Sequence, residues 1–231
     1  VGYHSGSLAN SYASGSVSGT NNVGGLVGHN DNASIANSYA TGNVSAVNEM
    51  IVQSQQASVE ANLYAGGLVG FNDGGSISNS YAKGSVDGSL SITLNASVSD
   101  GNGNGDVLGN NYVGGLVGFN DNGNINNSYA TGATTGSTDF ISNEYDVENE
   151  LAIYTATGGL VGLIVNDSLV VQSYATGNVI NNFSSDDISH ITGPHNNTSY
   201  AGGLGGSSEG GTVTASYWDT ETTGQSTSDG G

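Results

Sequence analysis

One five-residue phrase, Gly-Gly-Leu-Val-Gly, recurs along the chain and restricts its fold more than any other feature. The phrase begins at Gly24, Gly66, Gly114 and Gly158, and the variant Gly-Gly-Leu-Gly-Gly begins at Gly202. A second phrase of the type Asn-Ser-Tyr-Ala follows each copy. One unit of this size cannot bury its own apolar face, so successive units must stack on each other. The repeats therefore predict an elongated molecule that is built coil upon coil.

The spacing of the copies indicates that each repeat has two parts. The copies lie 42, 48, 44 and 44 residues apart, whereas aligning residues 1–4 with residues 27–30 gives a first spacing of only 26 residues. The excess of the later spacings is close to the size of one further coil. We therefore expect a core unit of roughly 20 residues and a variable segment of similar length. The variable segments should be extra coils or strand pairs on one edge, facing the surface and unconstrained by the stack.

Short segments bounded by glycine make up the core unit. Residues 68–71, 76–82 and 84–86 each have the length of a strand, and the Asn-Asp-Gly-Gly sequence at 72–75 is typical of a turn. This pattern predicts an all-β fold, a parallel β-solenoid of about five to six repeats, and chirality favours a right-handed coil. We expect residues 1–231 to form a single elongated domain. Because residue 1 lies inside a repeat, we also expect a fragment or processed part of a longer repeat protein.

The composition excludes several classes of partner. Aspartate and glutamate total 20 residues against a single basic residue, Lys83, and the formal net charge is −19. Such a polyanion repels phosphate backbones and anionic lipids, so we expect no nucleic acid partner and no membrane insertion. The chain has no cysteine, so an extracellular protein of this kind would take its stability from continuous β-stacking instead of disulfides.

The two recurring phrases together resemble the GLUG repeat family. The resemblance covers nearly the whole chain, and residues 216–226 are similar to the way such arrays often end. It implies a repeat architecture and a secreted, cell-surface protein of the adhesin type, and it implies no reaction. The chain departs from the pattern at Leu163-Ile164-Val165, where the usual Asn-Asp turn is absent, and at Gly205, which replaces valine. We therefore expect the last two coils to be less regular than the others.

The sequence contains only weak signals of a catalytic site. Lyases built on parallel β-helices use arginine and lysine, and this chain has only Lys83. Asp186-Asp187 is the sole adjacent acidic pair, and its serine-rich surroundings favour a solvated turn. His190 and His195 lie five residues apart in a glycine- and proline-containing loop, which is a weak metal signal, and surface histidines are the simpler interpretation. We therefore expect no enzymatic activity.

One calcium site is a candidate. Residues 100–107 place oxygen-bearing side chains at alternate positions, and Ca²⁺ favours such flexible carboxylate and amide loops. The predicted ligands are Asp100, Asn102, Asn104 and Asp106. Asn111 stands at the twelfth position, so the bidentate carboxylate is missing, and a metal-free surface loop is the competing interpretation. A second group alternates along a possible strand, as a solvated face or a divalent-ion ladder: Glu144, Asp146, Glu148 and Glu150.

One tyrosine occupies the same position in every repeat, and these six residues should align as a ladder: Tyr12, Tyr39, Tyr81, Tyr129, Tyr174 and Tyr217. A structural ladder is the first interpretation, because identical rings on successive coils pack well. An aromatic face for carbohydrate is the second. The Thr41, Thr131 and Thr176 column could also form a flat polar face.

From these features we expect a non-catalytic, extracellular structural or adhesive protein at the cell surface, either an adhesin stalk or a filament subunit. The alternative is a carbohydrate- or ice-binding β-solenoid module. Solenoid ends expose unpaired strand edges, and the glycine-rich residues 224–231 offer little apolar cover. The expected partner is therefore a second copy stacked head to tail or the remainder of a longer chain, and glycans are a further candidate.

Overall fold

Short parallel β-strands dominate the fold. The computed structural model describes residues 1–99, 105–143, 147, 150–185, 191 and 193–229. The chain winds through six coils. We call the first three strands of each coil the body, and we call the fourth and fifth strands of coils two to five the arm.

The first three coils contain fifteen strands. Coil one comprises β1 (Tyr3–His4), β2 (Ser7–Ala9), β3 (Tyr12–Ala13), β4 (Val17–Gly19) and β5 (Asn22–Gly24). Coil two comprises β6 (Val27–Asp31), β7 (Ser34–Ala36), β8 (Tyr39–Ala40), β9 (Val44–Val52) and β10 (Ser58–Gly66). Coil three comprises β11 (Val69–Asp73), β12 (Ser76–Ser78), β13 (Tyr81–Ala82), β14 (Val86–Leu94) and β15 (Asp106–Gly114).

The remaining coils repeat the same order until the last one, which ends in a short helix. Coil four comprises β16 (Val117–Asp121), β17 (Asn124–Asn126), β18 (Tyr129–Ala130), β19 (Thr134–Ser142) and β20 (Leu151–Gly158). Coil five comprises β21 (Val161–Val165), β22 (Leu169–Val171), β23 (Tyr174–Ala175), β24 (Val179–Ser185) and β25 (His195–Gly202). Coil six comprises β26 (Gly205–Glu209), β27 (Thr212–Thr214), β28 (Tyr217–Trp218) and α1 (Thr220–Thr223).

Equivalent strands of successive coils pair in parallel and build five sheets. Three sheets of six strands form the body, and two sheets of five strands continue β4 and β5 through the arm. The repeat phrases stay in register, so Val69 pairs with both Val27 and Val117. Tyr3 pairs with His29, which confirms the alignment of the first residues with a repeat that begins at residue 27. The architecture is a parallel β-solenoid, as the sequence predicts.

The Gly-Gly-Leu-Val-Gly phrase forms a corner between two sheets. Its first glycine ends one strand, the next glycine and the leucine form a bend, and the valine begins the following strand. Leucine holds the same place in every copy of the phrase, which predicts one inward-facing column. The structure confirms a buried column of five leucines: Leu26, Leu68, Leu116, Leu160 and Leu204. Each amide N–H of the first four donates to the leucine carbonyl of the next coil at 2.8–3.0 Å. A repeated corner therefore fixes the path of every coil.

Two polar ladders run through the body. The fully buried amides of Asn30, Asn72 and Asn120 form a chain in which each Nδ2 donates to the next Oδ1 at 2.7 Å. Six aligned serines use their hydroxyls in a second ladder: Ser11, Ser38, Ser80, Ser128, Ser173 and Ser216. Each hydroxyl donates to the carbonyl two residues earlier, and each from the second onward accepts the amide N–H of the preceding coil's serine. Repeated polar groups therefore satisfy one another along the stack.

The arm corrects one sequence prediction. The variable segments are not extra coils; they are extensions of the fourth and fifth strands of the existing coils, and the strand-pair alternative is the correct one. They are also tightly constrained, because β9 pairs with all nine residues of β14. Their alternate side chains meet between the two sheets in a separate apolar core that includes Ile92, Leu94 and Phe140. Length alone could not separate the alternatives, because an extra coil and a strand pair need similar numbers of residues.

The C-terminal coil is covered, although the glycine-rich residues after α1 bring little apolar surface. Trp218 takes the place that alanine holds in the preceding coil, and its ring packs against the body core. The segment after α1 runs along the last corner, where Gly203 N–H donates to the Thr227 carbonyl and the Ser228 hydroxyl accepts from Leu204 and Gly205. Apart from Trp218, this cover consists of hydrogen bonds from backbone and serine groups, which composition does not reveal.

The last two coils keep the strand register of the others, although the turn after β21 is one residue longer and Val165 forms an isolated antiparallel bridge with Gly210. Ile164 enters the body core at the position that asparagine holds in the earlier coils, and it is fully buried. Gly205 pairs with Val161 in the continuing sheet. Ile164 takes the next position after Asn120 in this column. Its apolar side chain leaves the strand pairing intact, because the surrounding core is itself apolar.

Candidate functional site

The repeated tyrosines form an outward-facing ladder on the third body sheet. The rings of Tyr39 and Tyr81 stack at 4.8 Å between centroids with an angle of 1°, and the neighbouring steps from Tyr12 to Tyr174 are 4.9–5.3 Å. Lys83 places its ammonium nitrogen 5.0 Å from the centre of the Tyr81 ring. Because the ring faces are used for stacking on each other, the interior of the ladder offers mostly ring edges to solvent.

The local backbone explains why the ladder is regular. The residue two positions before each tyrosine has a positive φ, as in Asn37 (50°) and Asn79 (47°), a conformation that asparagine tolerates better than most residues. The buried serine that follows locks the turn, and the tyrosine then points outward while the next alanine points into the core. In the phrase Asn-Ser-Tyr-Ala, the asparagine therefore makes the turn and the serine fixes it by hydrogen bonds. The tyrosine then points outward and the alanine points into the core.

The ladder ends in a groove at its C-terminal step. Tyr174 and Tyr217 are aligned in register, but the stacked ring contacts run only from Tyr12 to Tyr174. An open cavity of about 350 Å³ lies here, lined by Tyr174, Thr176, Tyr217 and Trp218 among others. Tyr217 is 69% exposed. The Tyr217 ring is therefore open to solvent at this step and is not part of the stacked series.

The threonine column lies beside the ladder but is not continuous. Thr41, Thr131 and Thr176 occupy equivalent positions two residues after their tyrosines, and Lys83 holds that position in coil three. In coil six the position belongs to Asp219, whose side chain caps α1. The column therefore lacks the uniform chemistry of a flat threonine face.

A second aromatic column lies where the arm meets the body. Tyr64 and Tyr112 stack at 5.3 Å on one side, and Phe71 and Phe119 stack at 4.9 Å on the other. The two pairs also contact each other, since Tyr112 and Phe119 lie 5.3 Å apart. Sequence analysis missed this cluster, although a tyrosine two residues before the Gly-Gly pair at 66–67, 114–115 and 202–203 was an available signal.

Burial controls the ionisation of this cluster. Desolvation raises the pKa of Tyr64 to about 12, and it raises the pKa of Tyr112 further. Desolvation also raises the pKa of Tyr154 to about 12, although its hydroxyl lies 2.6 Å from the Ser207 hydroxyl oxygen. These phenols are neutral packing groups throughout the physiological pH range.

Three aspartates align on the first body sheet. Asp31 pairs with Asp73, and Asp73 pairs with Asp121. Neighbouring donors partly offset the repulsion: Asp31 accepts from the Tyr3 hydroxyl and, at 2.8 Å, from the Asn32 amide. The Tyr3 hydrogen bond is the main reason that the pKa of Asp31 is lowered.

The predicted calcium ligands lie largely outside the described residues. Asp100, Asn102 and Asn104 belong to that segment, and Asp106 is the first residue of β15. Asn111, at the twelfth position of the loop pattern, is fully buried in the arm and donates to the Ser137 carbonyl at 2.8 Å. Its amide nitrogen is therefore committed to hydrogen bonds within the arm.

Few of the other candidate catalytic or metal-ligating residues belong to the described part of the chain. Asp186, Asp187, His190, Glu144, Asp146 and Glu148 lie outside the described residues. The Glu150 carbonyl accepts the Val107 amide at 2.7 Å, and His195 begins β25 with an exposed side chain. Within the described ranges, no group of three or more histidine, aspartate or glutamate side chains could hold a metal ion.

Comparison with known proteins identifies the repeat. The model of the GLUG motif matches residues 19–45, 61–87 and 109–135. The second and third matches begin inside the fifth strand of one coil, cover the corner and the body, and end as the next arm strand starts. No curated protein and no solved structure matches the chain. Of the described residues, none belongs to a helix that could cross a bilayer. The chain therefore contains three GLUG motifs, set at equivalent places on successive coils.

Proposed function

We propose that this chain is a structural segment of an extracellular surface protein, an adhesin stalk or a filament subunit without catalytic activity of its own. The observation that carries the proposal is the unbroken register of three body sheets through all six coils. Such a stack keeps a fixed length and direction, which a stalk requires. A net charge of −19 with a single lysine also suits a soluble spacer that avoids non-specific contacts.

The surface location has a direct test. Antibodies against the purified chain should stain intact cells that produce the native protein, and brief protease treatment of those cells should remove the stain. Staining that appears only after the cells are made permeable would contradict an extracellular role.

A stacking partner, either a further coil of the same protein or a second copy, would contact the first coil. Val1, Tyr3 and Tyr12 are 57–66% exposed there, whereas the segment after α1 covers the last corner. A neighbouring copy would have to displace that segment, so another coil of a longer repeat protein is the better partner. Light scattering across salt and calcium concentrations should detect little association of the intact chain and more after residues 219–231 are deleted. Strong filament growth by the intact chain would favour a second copy instead.

Carbohydrate binding is a second candidate, favoured by the groove at the end of the tyrosine ladder. Sugar rings stack on exposed aromatic rings, and the exposed Tyr217 lies beside the only tryptophan of the chain, Trp218. Tryptophan fluorescence should therefore change when cello- or chito-oligosaccharides bind. Tyr217→Ala should abolish the change and the matched Tyr39→Ala variant should not. No response to either sugar would remove this candidate.

A further inference from the structure

The first coil is too short to cover the arm. Its fourth and fifth strands, β4 and β5, have three residues each, whereas β9 and β10 in the next coil have nine. β4 pairs with residues 44–46 of β9, and β5 pairs with residues 64–66 of β10. The described part of the chain places no strand beside residues 47–52 and 58–63 on this side. We call these two free edges the first-coil notch.

The notch lacks the usual protection of a sheet edge. Edge strands commonly carry lysine, proline or a bulge that prevents further pairing. Residues 47–52 and 58–63 contain neither lysine nor proline, and Val47 and Ile51 are 41% and 53% exposed. Unpaired backbone groups and exposed β-branched side chains therefore lie along the same edge.

A cavity with a mixed lining lies at the outer end of the notch, where polar residues such as Gln53, Gln56 and Ser58 border it together with apolar ones. Met50, Val52 and Val59 end the core of the arm here, and they line a cavity of about 410 Å³. In the deeper coils the positions that continue Met50 and Val52 are occupied by Ile92 and Leu94. One additional strand would extend this pattern by one layer and would fill the cavity with its inward-facing side chains.

The outer face of the same sheet carries a few acidic side chains. Glu49 is exposed on β9 between Val47 and Ile51, and Asp139 aligns with it two strands deeper on β19. Glu60 lines the cavity from the other sheet. An incoming strand with lysine or arginine at its outward positions would complement these charges, whereas another acidic strand would be repelled.

A second copy of this chain fits the notch poorly. The opposite edges of the arm, on β24 and β25, lie one coil inside the C-terminal end, because coil six has α1 where an arm would be. Copies stacked end to end would therefore leave coil one and coil six between their arms. The net charge of −19 also opposes self-association.

We propose that the first-coil notch binds an extended segment of a partner protein by strand addition along residues 47–52 of β9. The segment alternates apolar and basic residues; its apolar side chains enter the cavity beside Met50 and Val52, and its basic side chains face Glu49. Main-chain hydrogen bonds supply affinity in this mode of recognition, and the alternate side chains supply specificity.

The test uses the full chain and a synthetic peptide of alternating valine and lysine, eight residues long. Calorimetry should detect binding, and hydrogen exchange of the amides in residues 47–52 should slow. A peptide methylated on the amides that face β9 should bind at least about tenfold more weakly, because it cannot donate to the edge. Glu49→Lys should weaken binding to a similar degree, whereas Glu221→Lys, the same charge change on α1, should not.

Three results would overturn the proposal. The first is the absence of binding by a chain whose circular dichroism shows it to be folded. The second is equal binding of the methylated peptide or of a scrambled peptide of the same composition, which would indicate charge attraction alone. The third is self-association that protects residues 47–52 without any peptide, which would assign the notch to a second copy.

Discussion

Several residues stabilise this fold by hydrogen bonds or packing with the equivalent residues of neighbouring coils. Ser80 illustrates the point: its hydroxyl donates to the Ser78 carbonyl at 2.8 Å and accepts the amide N–H of Ser38 at 3.1 Å. Ser80→Ala leaves the buried Ser38 amide without its acceptor, while the Ser78 carbonyl keeps only the Asn37 amide as donor, so we expect a loss of about 1–3 kcal/mol in the free energy of unfolding. Ser76→Ala, at an exposed serine of β12, should change it by less than about 0.5 kcal/mol. Urea denaturation measures both, and equal stability of the two variants would contradict the serine ladder.

The buried tyrosines predict a specific response to alkali. The folded-state pKa values of Tyr64 and Tyr154 are raised to about 12, above the unfolded value of about 10. The folded chain therefore holds protons that the unfolded chain loses, and their stabilisation is complete below pH 10 and disappears as the pH rises towards 12.

Denaturation series between pH 8 and 12 should show stability falling only above about pH 10. Tyr64→Phe should reduce the slope, and Tyr217→Phe, at a 69% exposed ring, should leave it unchanged. A slope that is the same in both variants would mean that the ionisation of Tyr64 is not coupled to folding.

At the scale of elements, the corner is the least tolerant part of the repeat. A Cβ at Gly66 would lie 1.9 Å from the Val69 carbonyl oxygen and 2.7 Å from the Gly118 nitrogen, both backbone atoms that cannot move aside. We expect Gly66→Ala to cost more than about 4 kcal/mol, at the extreme of single substitutions. Gly15→Ala is the matched control, because no atom lies within 4 Å of its Cβ position. A soluble, cooperatively folded Gly66→Ala protein would contradict this account of the corner.

The calcium loop makes a prediction for the element between β14 and β15. If residues 100–106 bind Ca²⁺, a chelator should lower the melting temperature, and Asp100→Ala should remove that response. Asn111→Asp, which adds a carboxylate at a fully buried position, should destabilise the arm without increasing calcium affinity. An identical melting temperature with and without chelator would leave the segment as a metal-free loop.

Element by element, the sequence predicted the body better than the arm. The leucine column, the tyrosine ladder and the alignment of residue 1 with residue 27 all follow from phrases that recur with little change. The arm has no recurring phrase: Met50, Ile92 and Phe140 share one column while differing in size and shape. Packing in such a core constrains the volume of a side chain and not its residue type. The sequence therefore showed the paired strands only as an alternation of apolar and polar residues, and their register was not predictable.

The aromatic cluster between arm and body was missed for the same reason. Its columns mix residue types, with His29 above Phe71 and Leu163 below Phe119. The C-terminal cover was missed because its bonds come from backbone and serine groups, which composition does not distinguish from a disordered tail. Only the change from alanine to Trp218 in the last repeat signalled that the core ends there.

On the scale of the whole molecule, the central claim is that the coils stack in register. This claim fixes the distance between equivalent residues of any two coils. The chain has no cysteine, so pairs of introduced cysteines can carry spin labels without interference. Ser14, Lys83, Thr131 and Thr176 occupy equivalent positions in coils one, three, four and five. Strand spacing of about 4.8 Å per coil predicts separations of about 10, 14 and 19 Å from Ser14.

Electron paramagnetic resonance on the three double-cysteine variants, Ser14→Cys with Lys83→Cys, Thr131→Cys or Thr176→Cys, is the most direct measurement. The account predicts three narrow distance distributions whose centres rise in equal steps of about 5 Å, although the paired residues are far apart in sequence. Broad distributions, or a separation between positions 14 and 176 beyond about 30 Å, would contradict the stacked solenoid.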